Sequence, residues 1–177
     1  YYEVEKELSG PILKVNEWVQ EAELDSVALP HAMSVSSINL DGKPSSRMVL
    51  LKRISNDGLV FFTDYEGNKG QQIIASPFVA LTFWWAKTNI QIRIEGKCQK
   101  VSDKENDDYF SSRPRGSQIS ASVSLQSRDL ASYEILLEQA KAFENEHLNK
   151  EISRPKRWGG FIVKPQSIEF WEDQKNR

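Results

Sequence analysis

"IQIRIEGKCQKV", Ile90 to Val101, is the stretch whose reading decides the fold. Ile90, Ile92 and Ile94 fall on one side of an extended chain, and Gln91, Arg93 and Glu95 on the other. A period of two over this length marks a strand with one face in a core. Just upstream, "FVALTFWW" (78–85) reads as its partner, joined through "AKTN". Further back, Met33, Val35 and Ser37 alternate with their neighbours, and "LDGKP" turns the chain. "SRMVLLKRI" (46–54) then resumes as a strand, "NDG" (56–58) turns it again, and "LVFFTDY" (59–65) follows. Three strands on short turns predict an antiparallel meander. At the far end, "WGGFIVKPQSIEFWED" predicts two short strands, about 158–171, around Lys164-Pro165.

Helical periods lie between these strands. Ile12, Val15, Val19 and Ala22 recur at helical spacing from Pro11 to Glu23, placing a first helix within about 11–25. "EGNKGQQIIASP" predicts a short helix stopped by Pro77. "SDKENDDYFSS" predicts another, with Ser102 as N-cap and acids in the first turn, where the helix dipole favours them. Asp129 to His147 predicts a polar helix with Leu130, Tyr133, Leu136, Leu137, Ala140 and Phe143 as its buried stripe. The fold class is therefore mainly β with peripheral helices (α+β), one domain over residues 1–177. Six or seven mostly antiparallel strands fit a small barrel, because closure removes exposed edges.

Composition narrows the function. There are 23 basic and 25 acidic residues and a net charge of −2, which gives no general reason to expect nucleic acid or a membrane surface as partner. The single cysteine, Cys98, excludes a disulfide framework and predicts a reducing, cytoplasmic location. His31 and His147 lie far apart, so no metal site is expected. No apolar run approaches the ~20 residues of a membrane span. The chain starts without Met and stops at Arg177, so it reads as truncated at both ends. No nucleophile with a base is legible, which points to chemistry carried by a bound cofactor.

Positive charge recurs near strand and helix ends: Arg47, Lys52, Lys69, Arg113 and Arg115, with Ser45, Ser46, Thr63, Ser112, Ser117 and Ser127 among them. Such donors are those that hold phosphate. Arg47 and Lys52 bracket "MVLL"; five residues apart on a regular strand they point to opposite faces, which implies two separate anion sites. "YFSSRPRGSQ" (109–118) is broken by Pro114 and Gly116.

"GKPSSRMVLLK", "FFTDYEGNKG", "QIRIEG", "YFSSRPRGSQI", "SLQS" and "WGGFIVKPQSIEFW", in this order, resemble the pyridoxamine/pyridoxine 5′-phosphate oxidase family. The resemblance implies an FMN-binding split barrel, working as a homodimer with flavin at the interface. It implies an enzyme, pyridoxal 5′-phosphate synthase, that oxidises pyridoxine 5′-phosphate and pyridoxamine 5′-phosphate with O₂ and releases H₂O₂. It assigns Arg47, Met48, Val49 and Leu50 to the flavin-binding strand, with Arg47 at the FMN phosphate. Phe62, Thr63, Asn68, Lys69, Gln91, Gln126, Ser127 and Trp171 match further flavin positions. Lys52, Tyr109, Arg113 and Ser117 match the residues that hold the substrate phosphate, and Arg177 a residue that positions substrate.

Three departures accompany the match. Asn68 replaces an arginine usual in the family, Asp173 replaces a glycine, and a family Leu-His-Asp-Arg segment would follow Arg177. Two other readings stay open: a related split-barrel flavin oxidase acting on another substrate such as a phenazine precursor, or a weakly active flavin- or vitamer-binding protein.

Overall fold

The computed structural model describes residues 2–174. The chain divides into two compact units. One takes the described residues of Tyr1–Phe62, Gln72–Gln99 and Phe161–Arg177, the other Thr63–Gln71 and Lys100–Gly160. Eight strands are present among the described residues: β1 (Glu3–Val4), β2 (Ala32–Ile38), β3 (Pro44–Leu50), β4 (Arg53–Ser55), β5 (Gly58–Asp64), β6 (Phe78–Trp85), β7 (Ile90–Lys100) and β8 (Trp158–Glu172). They form a sheet in the order β1-β4-β5-β8-β7-β6-β2-β3. Its β2–β3, β2–β6, β4–β5 and β6–β7 pairs are antiparallel, while β1 runs parallel to β4. The end strands of this order are β1 and β3.

The strand read through residues 46–54 is two strands. The Leu51 N–H donates to His31 O at 2.8 Å, but the next N–H, of Lys52, donates to Val60 O at 2.8 Å. The chain changes neighbours at that step. β3 pairs with β2 and β4 with β5, so two hairpins stand at opposite ends of the order in place of the meander. Arg47 and Lys52 thus share no regular strand, and the opposite-face argument loses its geometric basis.

The two short C-terminal strands are one, β8, passing through Pro165. Its first six residues are buried and the rest largely exposed, so the change at Lys164-Pro165 is one of surroundings. Two glycines let β8 approach its neighbours. A Cβ on Gly58 would lie 2.0 Å from Val163 O, and one on Gly96 would lie 2.3 Å from Lys164 O.

Helix α1 (Gly10–Leu24) buries the expected stripe, Ile12, Val15, Val19 and Ala22. Trp18 meets Phe170 edge-on at 5.1 Å. In β7 the isoleucine face is inside and Arg93, Glu95 and Lys97 are outside. Cys98 continues the inner face and is 4% exposed. Burial pushes its thiol up to about 12, so the reactive thiolate is scarce at ordinary pH. Iodoacetamide at mildly alkaline pH is therefore expected to leave the native protein unlabelled and to label it fully in urea. Rapid native labelling, read by mass spectrometry, would contradict this burial.

Helix α2 (Asn68–Ala75) follows β5, and α3 (Asp103–Ser112), α4 (Arg115–Val123) and α5 (Tyr133–Glu146) belong to the second unit. The Ser102 Oγ accepts from the Glu105 N–H at 3.1 Å, as its N-cap position predicts. Pro114 breaks α3 from α4, but Gly116 lies inside α4 and breaks nothing. Helix α5 starts at Tyr133, four residues later than the sequence suggests, behind Ser132 as its cap. Its apolar stripe is not buried: Tyr133 is 64% exposed and Leu137 51%. Periodicity reports that a face is apolar; it does not supply the surface that covers it.

Candidate active site

In the first unit, Arg47 projects from β3 into a set of uncharged acceptors. Its Nη1 donates to Ser37 Oγ at 2.7 Å and to Ser45 O at 3.0 Å. Its Nη2 donates to Ser45 Oγ at 2.8 Å and to Gln72 Oε1 at 2.8 Å. Burial lowers its pKa from the ordinary value, so the charged form is held where water solvates it less well. A cation fixed by neutral partners keeps its full charge for an anion. The neighbouring Val49 is buried, Leu50 half-buried and Met48 exposed on this edge strand.

Gln91 and Trp171 also belong to the first unit. Gln91 of β7 stands opposite Trp84 of β6. The Trp84 and Trp171 rings lie 6.3 Å apart, and both are substantially exposed. These two indoles do not fill the core, unlike Trp85, Phe61 and Phe83. Phe62 is half-buried on β5, and Lys52 is half-buried between β3 and β4.

The second unit gathers five of the predicted flavin positions. Thr63 Oγ1 donates to Gln126 Oε1 at 3.0 Å. The Lys69 ammonium, 7% exposed, donates to Thr63 Oγ1 and, at 3.3 Å, to Gln126 Oε1. The Asn68 N–H, at the start of α2, donates to Ser127 Oγ at 3.2 Å. A Cβ on Gly67 would stand 3.1 Å from Gln126 Oε1, so a small residue lets the Gln126 segment close over the turn. Thr63, Asn68 and Lys69 are thus joined to Gln126 and Ser127 across about sixty residues of chain, a juxtaposition that sequence spacing does not reveal.

Also in the second unit, Tyr109 and Arg113 share Trp158. The Tyr109 ring stacks on the indole at 6.1 Å and 8°. The Arg113 guanidinium lies over the same indole at 4.5 Å, an arrangement suited to cation–π attraction. Arg113 Nη1 is buried and, among the described residues, has no hydrogen-bond partner. Burial lowers the Arg113 pKa, with Tyr109 opposing the shift. A buried donor left unmet is costly in a folded chain, and a ligand oxygen is the natural remedy. Ser117 is half-buried in the first turn of α4, its N–H donating to Pro114 O at 2.8 Å. Arg115 turns elsewhere, donating to His147 O at 2.5 Å and Lys150 O at 3.1 Å. Arg177 lies outside the described residues.

Several supporting residues escape a sequence reading. Trp158 is the platform for Tyr109 and Arg113. Asn106, 2% exposed, holds the backbone beside it by accepting from the Gly160 N–H at 2.7 Å. Gly159 has no room for a Cβ, which would fall 2.3 Å from the Tyr65 hydroxyl. Arg157 ties Asp64, next to Thr63, to the Ala121 and Ser122 carbonyls, each at 2.9 Å. Only the run "RWGG" hints at this packing.

Among the described residues no three His, Cys, Asp or Glu side chains cluster as a metal site, and no helix is long and apolar enough to cross a membrane.

Solved structures place the architecture. An FMN-binding protein of Nostoc punctiforme, described as pyridoxamine 5′-phosphate oxidase-related, superposes with a TM-score of 0.75 at 13% identity, over 94% of this chain and 87% of its own. PhzG from Burkholderia lata, solved with tetrahydrophenazine-1-carboxylic acid, superposes with a TM-score of 0.91 at 27% identity, over 97% and 84%. The fold is the FMN-binding split barrel. A family described as "Pyridoxamine 5′-phosphate oxidase" matches residues 19–146, and one described as "Pyridoxine 5′-phosphate oxidase C-terminal dimerisation region" matches 158–177. The pyridoxine/pyridoxamine 5′-phosphate oxidase of Psychromonas ingrahamii is 44% identical over 97% of this chain and 79% of its own. That of Flavobacterium psychrophilum is 45% identical over 94% and 78%. The chain belongs to the pyridoxine/pyridoxamine 5′-phosphate oxidase family.

Proposed function

We propose that this protein oxidises pyridoxine 5′-phosphate and pyridoxamine 5′-phosphate to pyridoxal 5′-phosphate, using FMN and O₂ and releasing H₂O₂. The observation that carries the reading is identity of 44% to an oxidase of this activity across 97% of the chain. The phenazine reading has a weaker basis, since PhzG shares 27%. The local chemistry agrees: Arg113 offers a buried, unmet donor to an anion, and both named substrates carry a phosphate.

The donor set fits FMN. Arg47 is a charge among neutral acceptors, and Lys69 is a buried ammonium beside Thr63 and Gln126. Arg47, Thr63, Lys69, Gln126 and Ser127 would hold its phosphate and ribityl side, and Gln91 and Trp171 its ring, with Phe62 and the Met48–Leu50 strand as further contacts. When bound, FMN would supply the hydride-acceptor chemistry for oxidation at the substrate's C4′, with O₂ as the final electron acceptor. The chain's task is position. Lys52, Tyr109, Arg113 and Ser117 grip the substrate phosphate, and Arg177 is assigned to position the substrate. Holding reactants aligned contributes ~7–11 kcal/mol of barrier lowering in favourable cases. Binding energy at a remote phosphate serves that alignment. The assembly is a homodimer with flavin at the subunit interface, a reading supported by the dimerisation-region match.

The direct test uses purified protein. Flavin absorbance should be present, and added pyridoxine 5′-phosphate should yield aldehyde and H₂O₂ in equal amounts. Bound flavin without aldehyde rejects the substrate, and failure to load FMN rejects the class. Arg47→Ala is expected to weaken FMN about tenfold or somewhat more, the worth of one charged hydrogen bond. Flavin fluorescence titration checks it.

A further inference from the structure

Gln72, on α2, has no part in the reading above, yet it holds Arg47. Its Oε1 accepts from Arg47 Nη2 at 2.8 Å and from Ser37 Oγ at 2.7 Å. Ser37, 1% exposed, accepts in turn from Arg47 Nη1 at 2.7 Å. Arg47, Gln72 and Ser37 thus close a ring, braced by the two Ser45 contacts at 3.0 and 2.8 Å. The ring does two things. It fixes both terminal nitrogens of a long side chain that an anion would otherwise have to immobilise. It does so with amide and hydroxyl oxygens only, so the charge is oriented and not cancelled. A glutamate at position 72 would accept the same bonds and neutralise the cation.

We propose that Gln72 is a positioning residue for cofactor phosphate recognition, orienting Arg47 without neutralising it. The proposal rests on the reading of Arg47 as a partner of the FMN phosphate.

The test compares FMN with riboflavin, which has the same ring and no phosphate, each titrated into the full chain and followed by flavin fluorescence. Gln72→Leu should weaken FMN about tenfold and change riboflavin by less than about twofold. Gln72→Glu should weaken FMN further and again spare riboflavin. A merely structural role would move both flavins together. Equal losses for the two flavins, or unchanged FMN affinity in both variants, overturns the proposal. Should Gln72→Leu fail to fold, Gln72→Glu decides, because it keeps the acceptor. Arg47→Ala separates the two levels. If it leaves the preference for FMN over riboflavin intact, the phosphate reading falls and the proposal with it. If it abolishes the preference while both Gln72 variants keep it, only the role of Gln72 falls.

Discussion

Arg113→Leu is expected to raise the KM for pyridoxine 5′-phosphate about a hundredfold, the upper range for one charged, desolvated hydrogen-bonding group. The expectation starts from the side chain's setting. The guanidinium is held over Trp158 at 4.5 Å and over Phe110 at 5.8 Å, and Nη1 is buried with no hydrogen-bond partner among the described residues. Its orientation is therefore set before a ligand arrives, with a buried donor turned toward it. Lysine is expected to restore little, since an ammonium neither stacks on the indole as a plane nor presents a fork to phosphate. Steady-state kinetics check both variants, and unphosphorylated pyridoxine is the control. Its poorer turnover should be nearly unaffected by Arg113→Leu. A second readout is independent of activity. Burial opposes the charge on Arg113, so removing it should leave the melting temperature of the ligand-free protein equal or higher. A large loss of stability would recast Arg113 as structural.

The largest effect on stability is expected at Asp64. Its carboxylate accepts from Arg157, and the two side chains are 5% and 12% exposed. Arg157 also donates to the Ala121 and Ser122 carbonyls near the end of α4, and its own carbonyl accepts from the Tyr65 N–H at 2.6 Å. Asp64→Ala leaves a buried guanidinium without its counter-charge, which typically costs about 3–5 kcal/mol. Replacing both partners, as Asp64→Leu with Arg157→Met, should recover a good part of that loss, because the pair itself need not be net stabilising. Urea unfolding of the two single variants and the double variant measures the coupling. A loss below about 1 kcal/mol for Asp64→Ala would place the pair with ordinary surface ion pairs. The same change should loosen the Thr63 turn, so FMN affinity should fall alongside stability.

Local signals carried a good part of the structure. The α1 stripe, the Ser102 cap and the alternation of β7 each depend on residues within a few turns or steps of one another, and each is found where the sequence puts it. Signals that needed a partner were less reliable. The same local rules read the β3–β4 stretch as one strand and β8 as two, because a change of neighbours at Leu51 and a change of burial at Lys164 leave similar marks in the chain. The α5 stripe was legible as apolar and wrong as buried. At the site, motif resemblance named Thr63, Lys69, Gln126 and Ser127, and the structure joins them. It did not name Trp158, Gln72 or Arg157, whose roles lie in supporting other side chains.

The sequence by itself determined where most of the strands and helices lie, which faces are apolar, and, through six ordered motifs, the family. Those properties are written in periodicity and residue type, and need no knowledge of what lies across the fold. Only the tertiary structure decided that β8 runs between β5 and β7, that Tyr109 and Arg113 share one indole, and that Arg47 is gripped by neutral oxygens. Each of these joins residues far apart in the chain, and the free energy that selects them comes from burial and hydrogen-bond satisfaction, which exist only once the partners meet.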